Sequence, residues 1–426
     1  MLNLLKIHFK KNRILLKDNF TLFSTMLLAF AINYFFHFYV GKTLGPKEYG
    51  TFGALLSIVY IIVMPLMAIQ TTLSKYVAEL SVKSDKLELR YLFFRSLKKI
   101  GIFGLIVSVL FLAFSPALSS FLKINLVSPL IILGSSIVFA FLVSVIRGFL
   151  QGLQKFKLLG LTFLIESLSK IFLGIPLIIL GFGVNGAIGG FALSFFLPLL
   201  VLVYFAKRGF FKGGSKKFNT MQIYRYSFPV FIMLLVLTGL YSWDVILVKR
   251  FFDSISAGQY AALSLFGKII FFATLSISMV MFPKILELNS ENRNTITLLI
   301  KSILIALFLG LSVSLLYFLI PNFIITMLFG EEFLVISPFL WIFGMIMTIF
   351  SICYLISFYN MALHRLKFLY LIAFFNLMEI ILINLYHRSL EQIIIILMII
   401  MVLLLISLAI YTLKNDKNIN HHSSIQ

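Results

Sequence analysis

Cysteine is nearly missing from this chain, and acids are scarce. Cys353 stands alone, so no disulfide framework can form. Aspartate and glutamate number 15 against 36 lysines and arginines, and charged residues make up only 12% of the 426. A soluble chain of this length needs far more polar surface than that. No motif groups His, Cys, Asp or Glu at metal-ligand spacing, so neither a metal nor another cofactor is expected. What fills the chain instead is apolar: 61% of residues are hydrophobic, 48 of them Phe, and mean hydropathy is +1.06. About twelve apolar stretches of roughly 20 residues would occupy some 240 positions. That leaves loops and no room for a soluble domain.

The expected spans are 19–41, 51–78, 98–119, 128–150, 157–180, 184–206, 226–248, 257–282, 298–320, 333–361, 366–387 and 392–413. With the N-terminus inside, 27 of the 36 cations fall in the tails and inward loops, six in outward loops, and three (Lys75, Lys170, Lys268) within spans. Inward loops retain Lys and Arg. The distribution therefore predicts a polytopic protein of the inner or plasma membrane with both termini cytoplasmic and the first span kept as an uncleaved anchor. The net charge of +21 suits loops facing anionic lipid headgroups, and nucleic acid is not expected as a partner.

Internal duplication organises the chain. GPKEYG (45–50) is echoed by SAGQYA (256–261), which pairs Asn33 with Asp244 and Tyr49 with Tyr260 at a spacing of 211. KYVAEL (75–80) is echoed by PKILEL (283–288), and GLQKFK (152–157) by ALHRLK (362–367) at a spacing of 210. Six spans per half is an even number, so the halves share one orientation, a parallel repeat whose substrate site is expected between the halves. The expected domains are an N-lobe over 1–210, a C-lobe over 211–413 and a polar, disordered cytoplasmic tail over 414–426. The stretch 207–225 reads as the linker.

Charges inside spans are the best pointers to function, since each costs on the order of 3 kcal/mol at mid-membrane. Lys170 lies mid-span with Glu166 four residues before it, which gives either a self-neutralising pair or a cavity-facing one. Lys268 has no acid at helical spacing, which favours a wet cavity. Lys75 and Arg147 sit near inward span ends, where they either snorkel to headgroups or form a cationic vestibule. Asp244 either pairs with Lys249 or Arg250 or binds a coupling ion. Glu379, mid-span without a nearby cation, suits a protonation role or a partner on another helix. GFGVNGAIGG (181–190) lacks the strand and acid of a nucleotide fingerprint and reads as a tight outward turn followed by small-residue packing. Pro65, Pro176, Pro198 and Pro229 are expected to kink their helices.

TLGPKEYGTFGALLSIVYIIVMPLMAIQTTLSKYVAEL (43–80), RGFLQGLQKF (147–156) and AGQYAA (257–262), with Asp244 and the VKRFF that follows it, resemble the polysaccharide transporter family. That family includes the Wzx-type oligosaccharide flippases of the multidrug/oligosaccharidyl-lipid/polysaccharide exporter superfamily. The resemblance implies an all-α fold of two six-helix lobes in a V and a polyprenyl-diphosphate-linked sugar chain as substrate. It also implies a cationic cavity, a tendency that Lys75, Arg147, Lys170 and Lys268 match. Lipid II flippases of the superfamily carry two further spans, and many of its drug exporters carry an acid in the first span that this chain lacks.

The function expected is translocation of a lipid-linked oligosaccharide by alternating access for surface glycan synthesis, performed by a carrier and not an enzyme. Its partners would be that substrate, membrane lipids and a coupling H+ or Na+, with the chain acting as a monomer. The alternatives are a cation-coupled exporter of drugs or small solutes, and a membrane polymerase or ligase of lipid-linked sugars. The second is opposed by the short outward loops.

Overall fold

A computed structural model of the chain describes residues 2–82, 86–207, 214, 216, 221–291 and 293–423. Most of the expected linker, and Lys83 and Asp85 of the inward loop, lie outside the described residues. Among the described residues there is no strand. Ten helices among the described residues are long and apolar enough to cross a membrane. Two of them, Ser24–Val82 and Phe156–Phe205, run 59 and 50 residues, about twice what one crossing needs, so the count agrees with about twelve spans.

The chain separates into two compact units: residues 1–43 with 62–231, and residues 44–61 with 232–426. The first contains most of α1 (Leu2–Val63), then α2 (Leu66–Val82), α3 (Lys86–Phe121), α4 (Ser128–Gly152), α5 (Phe156–Ser169), α6 (Ile175–Leu177), α7 (Gly183–Phe196) and α8 (Val201–Lys207). Here α4 is the centrepiece, packed by α2, α3 and α7. α9 (Met221–Gly239) runs across the boundary between the units. The second unit holds residues 44–61 of α1, α10 (Trp243–Phe251), α11 (Ser254–Ser290), α12 (Ile296–Leu319), α13 (Pro321–Leu328), α14 (Leu340–Ala362), α15 (Phe368–Leu385) and α16 (Leu390–Ser423). α14 takes the central place there, packed by α11, α12 and α16.

Glycine and proline explain where the long helices bend. Gly45 adopts φ +69 inside α1, a left-handed conformation that costs other residues roughly 1 kcal/mol. Pro65 occupies the two-residue gap between α1 and α2, where Ala68 N–H donates to the Pro65 carbonyl at 3.0 Å. Pro176 lies between two π-helical segments, Lys170–Gly174 and Ile178–Phe182, and Pro198 lies in a 3-10 turn, Leu197–Leu200. Pro229 sits inside α9 without ending it. The glycine run at 181–190 turns at Gly181 and Gly183, both with positive φ. It then brings Gly190 against Gly174 so closely that a Cβ on Gly190 would overlap the Gly174 backbone.

The duplication is visible in the backbone. After α4 and after α14 the chain turns through a non-glycine residue with positive φ: Gln154 at 54 and His364 at 56. These are 210 residues apart. The hydrogen bonds around them match, with Lys155 N–H to the Leu150 carbonyl at 2.8 Å and Arg365 N–H to the Asn360 carbonyl at 2.9 Å. The cation after each corner fastens to the last helix of its own unit. Lys155 Nζ lies 5.1 Å from the ring centroids of Tyr204 and Phe205, and Arg365 Nη2 lies 2.5 Å from Asp416 Oδ1.

That last contact corrects the expected tail. Where disorder is expected from 414, α16 instead continues to Ser423; 424–426 lie outside the described residues. Asp416, which falls in the expected tail, also accepts from Tyr359 Oη at 3.2 Å, and Tyr359 shares a 2.9 Å hydrogen bond with Thr295. Arg365→Ala is therefore expected to destabilise the protein by about 2 kcal/mol, since it strands a largely enclosed carboxylate. Thermal unfolding of the purified protein in detergent checks this, and an unchanged midpoint contradicts it.

Candidate functional site

In the first unit a charged network forms around Glu166 on α5. Arg147, on the last turns of α4, reaches Glu166 Oε2 with Nη2 at 2.7 Å. Lys170 Nζ reaches Glu166 Oε1 at 3.2 Å. Both carboxylate oxygens are thus taken by cations, and the three side chains are only 6–16% exposed. Arg147 also donates to the Thr162 hydroxyl at 3.1 Å and carbonyl at 3.2 Å, and its guanidinium lies 3.9 Å from the Phe163 ring centroid. It does not reach outward along its helix; it is held in place by α5.

Asn33 on α1 completes the network. Its Oδ1 accepts from Lys170 Nζ at 2.7 Å, while its Nδ2 donates to Ser167 Oγ at 2.8 Å and to the Ala29 carbonyl at 2.9 Å. Lys170 begins the π-helical segment 170–174. Such widened turns recur at functional sites. The Lys170 ammonium also sits 4.5 Å from the Phe191 ring centroid, within cation–π range.

In the second unit a helix break sets the geometry. α9 ends at Gly239 and α10 starts at Trp243, with a tight turn between them closed by Ser242 N–H to the Gly239 carbonyl at 2.9 Å. Asn376 on α15 donates to the Val236 carbonyl at 2.8 Å beside the break. The break places Asp244 in the first turn of α10, where the helix dipole favours an anion. Asp244 is buried, and its Oδ2 accepts from Tyr260 Oη at 2.9 Å. It pairs with neither Lys249 nor Arg250, the partners offered by its own helix; Lys249 donates instead to Ser254 Oγ at 3.3 Å.

Lys268 on α11 is buried and lies within electrostatic reach of Asp244. Its Nζ is 5.6 Å from the Tyr241 ring centroid and 5.8 Å from that of Tyr60. Glu379 on α15 is fully buried and also within reach of the Asp244 charge. Among the described residues no hydrogen-bond partner meets either Glu379 oxygen or Asp244 Oδ1. At the edge of this unit Asp253 caps α11, accepting from Ile255 N–H at 2.9 Å and Ser256 N–H at 3.0 Å. Hydrogen bonds from the Ser256 side chain and backbone hold its carboxyl below the ordinary range.

Of the four cations singled out in the sequence, Arg147 and Lys170 meet in one network, Lys268 belongs to the other unit, and Lys75 is exposed beside Tyr76. Asn33, Tyr260 and Asn376 were not singled out as site residues. The repeat spacing held a signal for two of them. Asn33 corresponds to Asp244, and Glu166 corresponds to Asn376, 210 residues on. Acid and amide change places between the two units.

Residues 15–289 match the family described as polysaccharide biosynthesis protein. No curated protein matches the chain by sequence. Solved structures share its fold. An inward-facing multidrug resistance transporter of the MATE family, in the MOP superfamily, aligns with a TM-score of 0.74 at 16% identity over 93% of this chain and 99% of that one. The lipid II flippase MurJ, in an inward closed conformation, aligns at 0.71 and 16% identity over 91% and 87%. A MOP-superfamily transporter from Pyrococcus furiosus, whose reversed binding-pocket polarity suggests a different function, aligns at 0.65 and 17% identity over 93% and 95%. The all-helical fold with about twelve spans is thus that of MOP transporters, and a family match over well more than half its length makes this chain a membrane-embedded member of the polysaccharide biosynthesis protein family.

Proposed function

We propose that the protein is a flippase that moves a polyprenyl-diphosphate-linked oligosaccharide from the cytoplasmic to the outer leaflet by alternating access. The observation that carries this reading is the network in the first unit, where two cations share the single carboxylate of Glu166 and one positive charge remains in excess. A diphosphate crossing the membrane loses its hydration at high cost. Cation–phosphate hydrogen bonds replace that hydration, and Lys170 and Lys268 present compact ammonium charges that release more readily than a rigid guanidinium fork. Lys75 and Arg147 would serve the approach of the head group from the inner leaflet. The reading places the protein in the inner or plasma membrane with cytoplasmic termini, and makes it a carrier rather than a catalyst.

Energy for the cycle would enter through the second unit. Asp244 and Glu379 carry unpartnered carboxylate oxygens, which suits them to bind H+ or Na+. The same pair is the observation that favours the second reading, a cation-coupled exporter of small solutes on this fold.

Lys170→Ala and Lys268→Ala in a cell that depends on this protein for surface glycan separate the two readings. Each substitution is expected to cut surface glycan by about tenfold or more, in line with the loss of one charged hydrogen bond to a phosphate. Unchanged glycan in both variants, at unchanged protein level, would overturn the flippase reading.

A further inference from the structure

We propose that Asn33 is a specificity-determining residue: a neutral amide that keeps one unbalanced positive charge in the Glu166 network and so fixes its selectivity for an anionic, phosphate-bearing head group. The inference rests on the flippase reading and deepens it. Arg147 and Lys170 are both held by Glu166, so a carboxylate at the third corner would neutralise the set. The structure has an amide there, bonded to Lys170 at 2.7 Å. Its orientation is fixed on both sides, because Nδ2 donates to Ser167 Oγ and to the Ala29 carbonyl.

The second unit supplies the contrast within one chain. At the position equivalent to Asn33 it carries Asp244, and at the position equivalent to Glu166 it carries Asn376. There two buried acids, Asp244 and Glu379, accompany one buried cation, Lys268, whereas in the first unit two cations share one acid. Trading acid for amide between these two positions is neutral in charge; the units differ by Glu379 and by Ser357, which stands 210 residues after Arg147. A purely structural reading of Asn33 requires its hydrogen bonds to Lys170, Ser167 and the Ala29 carbonyl, all of which Ala loses and only some of which Asp loses.

The test uses the full-length protein in vesicles holding a polyprenyl-diphosphate-linked monosaccharide, with binding of inorganic diphosphate measured in detergent as a second arm. Asn33→Asp is expected to lower both flipping and diphosphate binding about tenfold. Asn33→Ala, which keeps the charge balance and loses the three hydrogen bonds of the amide, is expected to lower them about threefold. Asp at this site would turn an oxygen toward the Ala29 carbonyl, so a compensating variant is included. N33D/E166Q moves the carboxylate from α5 to α1 and restores the positive excess, and it is expected to recover flipping relative to N33D.

Wild-type flipping in N33D, or equal loss in folded N33A and N33D, overturns the proposal, as does a folded double variant no better than N33D. If N33D does not fold, recovery of folded, flipping-competent N33D/E166Q supports it and its failure to flip overturns it. Diphosphate binding lost without loss of flipping assigns the site to free phosphate and overturns the lipid-linked assignment. Lys170→Ala and Lys268→Ala both inert would sink the flippase reading itself, whatever Asn33 does.

Discussion

Glu166→Leu is expected to leave little folded protein in the membrane. The substitution removes the one counter-charge shared by Arg147 and Lys170 and leaves two enclosed cations facing an isobutyl group. Breaking a buried ion pair by removing one partner costs about 3–5 kcal/mol, a large share of the roughly 5–15 kcal/mol that holds a domain folded. Glu166→Gln keeps an acceptor of similar shape and is expected to cost less. Yield of the monodisperse species on size exclusion and the thermal midpoint in detergent measure both. Wild-type yield and midpoint for the leucine variant would mean that water already reaches the cations and that the carboxylate does not hold them.

Gly258→Val is expected to be nearly as damaging, for steric reasons. Gly258 lies where the two copies of the duplicated motif meet inside the second unit. A Cβ built on it would overlap the Pro46 carbonyl, and a Cβ on Gly50 would lie 2.8 Å from the Gly258 nitrogen. One turn further along, a Cβ on Gly53 would lie 2.7 Å from the Ala261 Cβ. Contacts against backbone cannot be relieved by a rotamer change, so the helices would have to separate and uncover Tyr49 and Tyr260, both fully buried. Overpacking of this kind costs roughly 3 kcal/mol or more. A thermal midpoint within a degree or so of wild type would show that α1 and α11 do not meet this closely.

Most of the fold could be read from residue order alone, because hydropathy and the placement of Lys and Arg act locally along the chain. The prolines at 65, 176 and 198 fell where helices do become irregular, and the lack of a backbone N–H explains that without reference to tertiary structure. The site was legible only in part. Lys170 and Glu166 were paired in advance because they are one helical turn apart. Arg147 joins them from another helix, 19 residues away in sequence, and no local period announces such a contact. Asp244 was offered two partners from its own helix and took neither, because the break at 240–242 aims α10 so that its carboxylate meets Tyr260 on α11. The final helix outran its expected end because Asp416 finds Arg365 and Tyr359 there, a tertiary anchor that composition does not encode.

The corners at Gln154 and His364 have one more implication. Their side chains are unrelated, yet the main chain takes the same uncommon path at both, so what was copied and kept is the trace and not the chemistry. Each half of the protein can therefore serve as the other's control: residues that align through the echoed segments, at intervals that drift between 208 and 211, occupy sibling places, and a difference between them is a natural substitution already carried out in a matched frame.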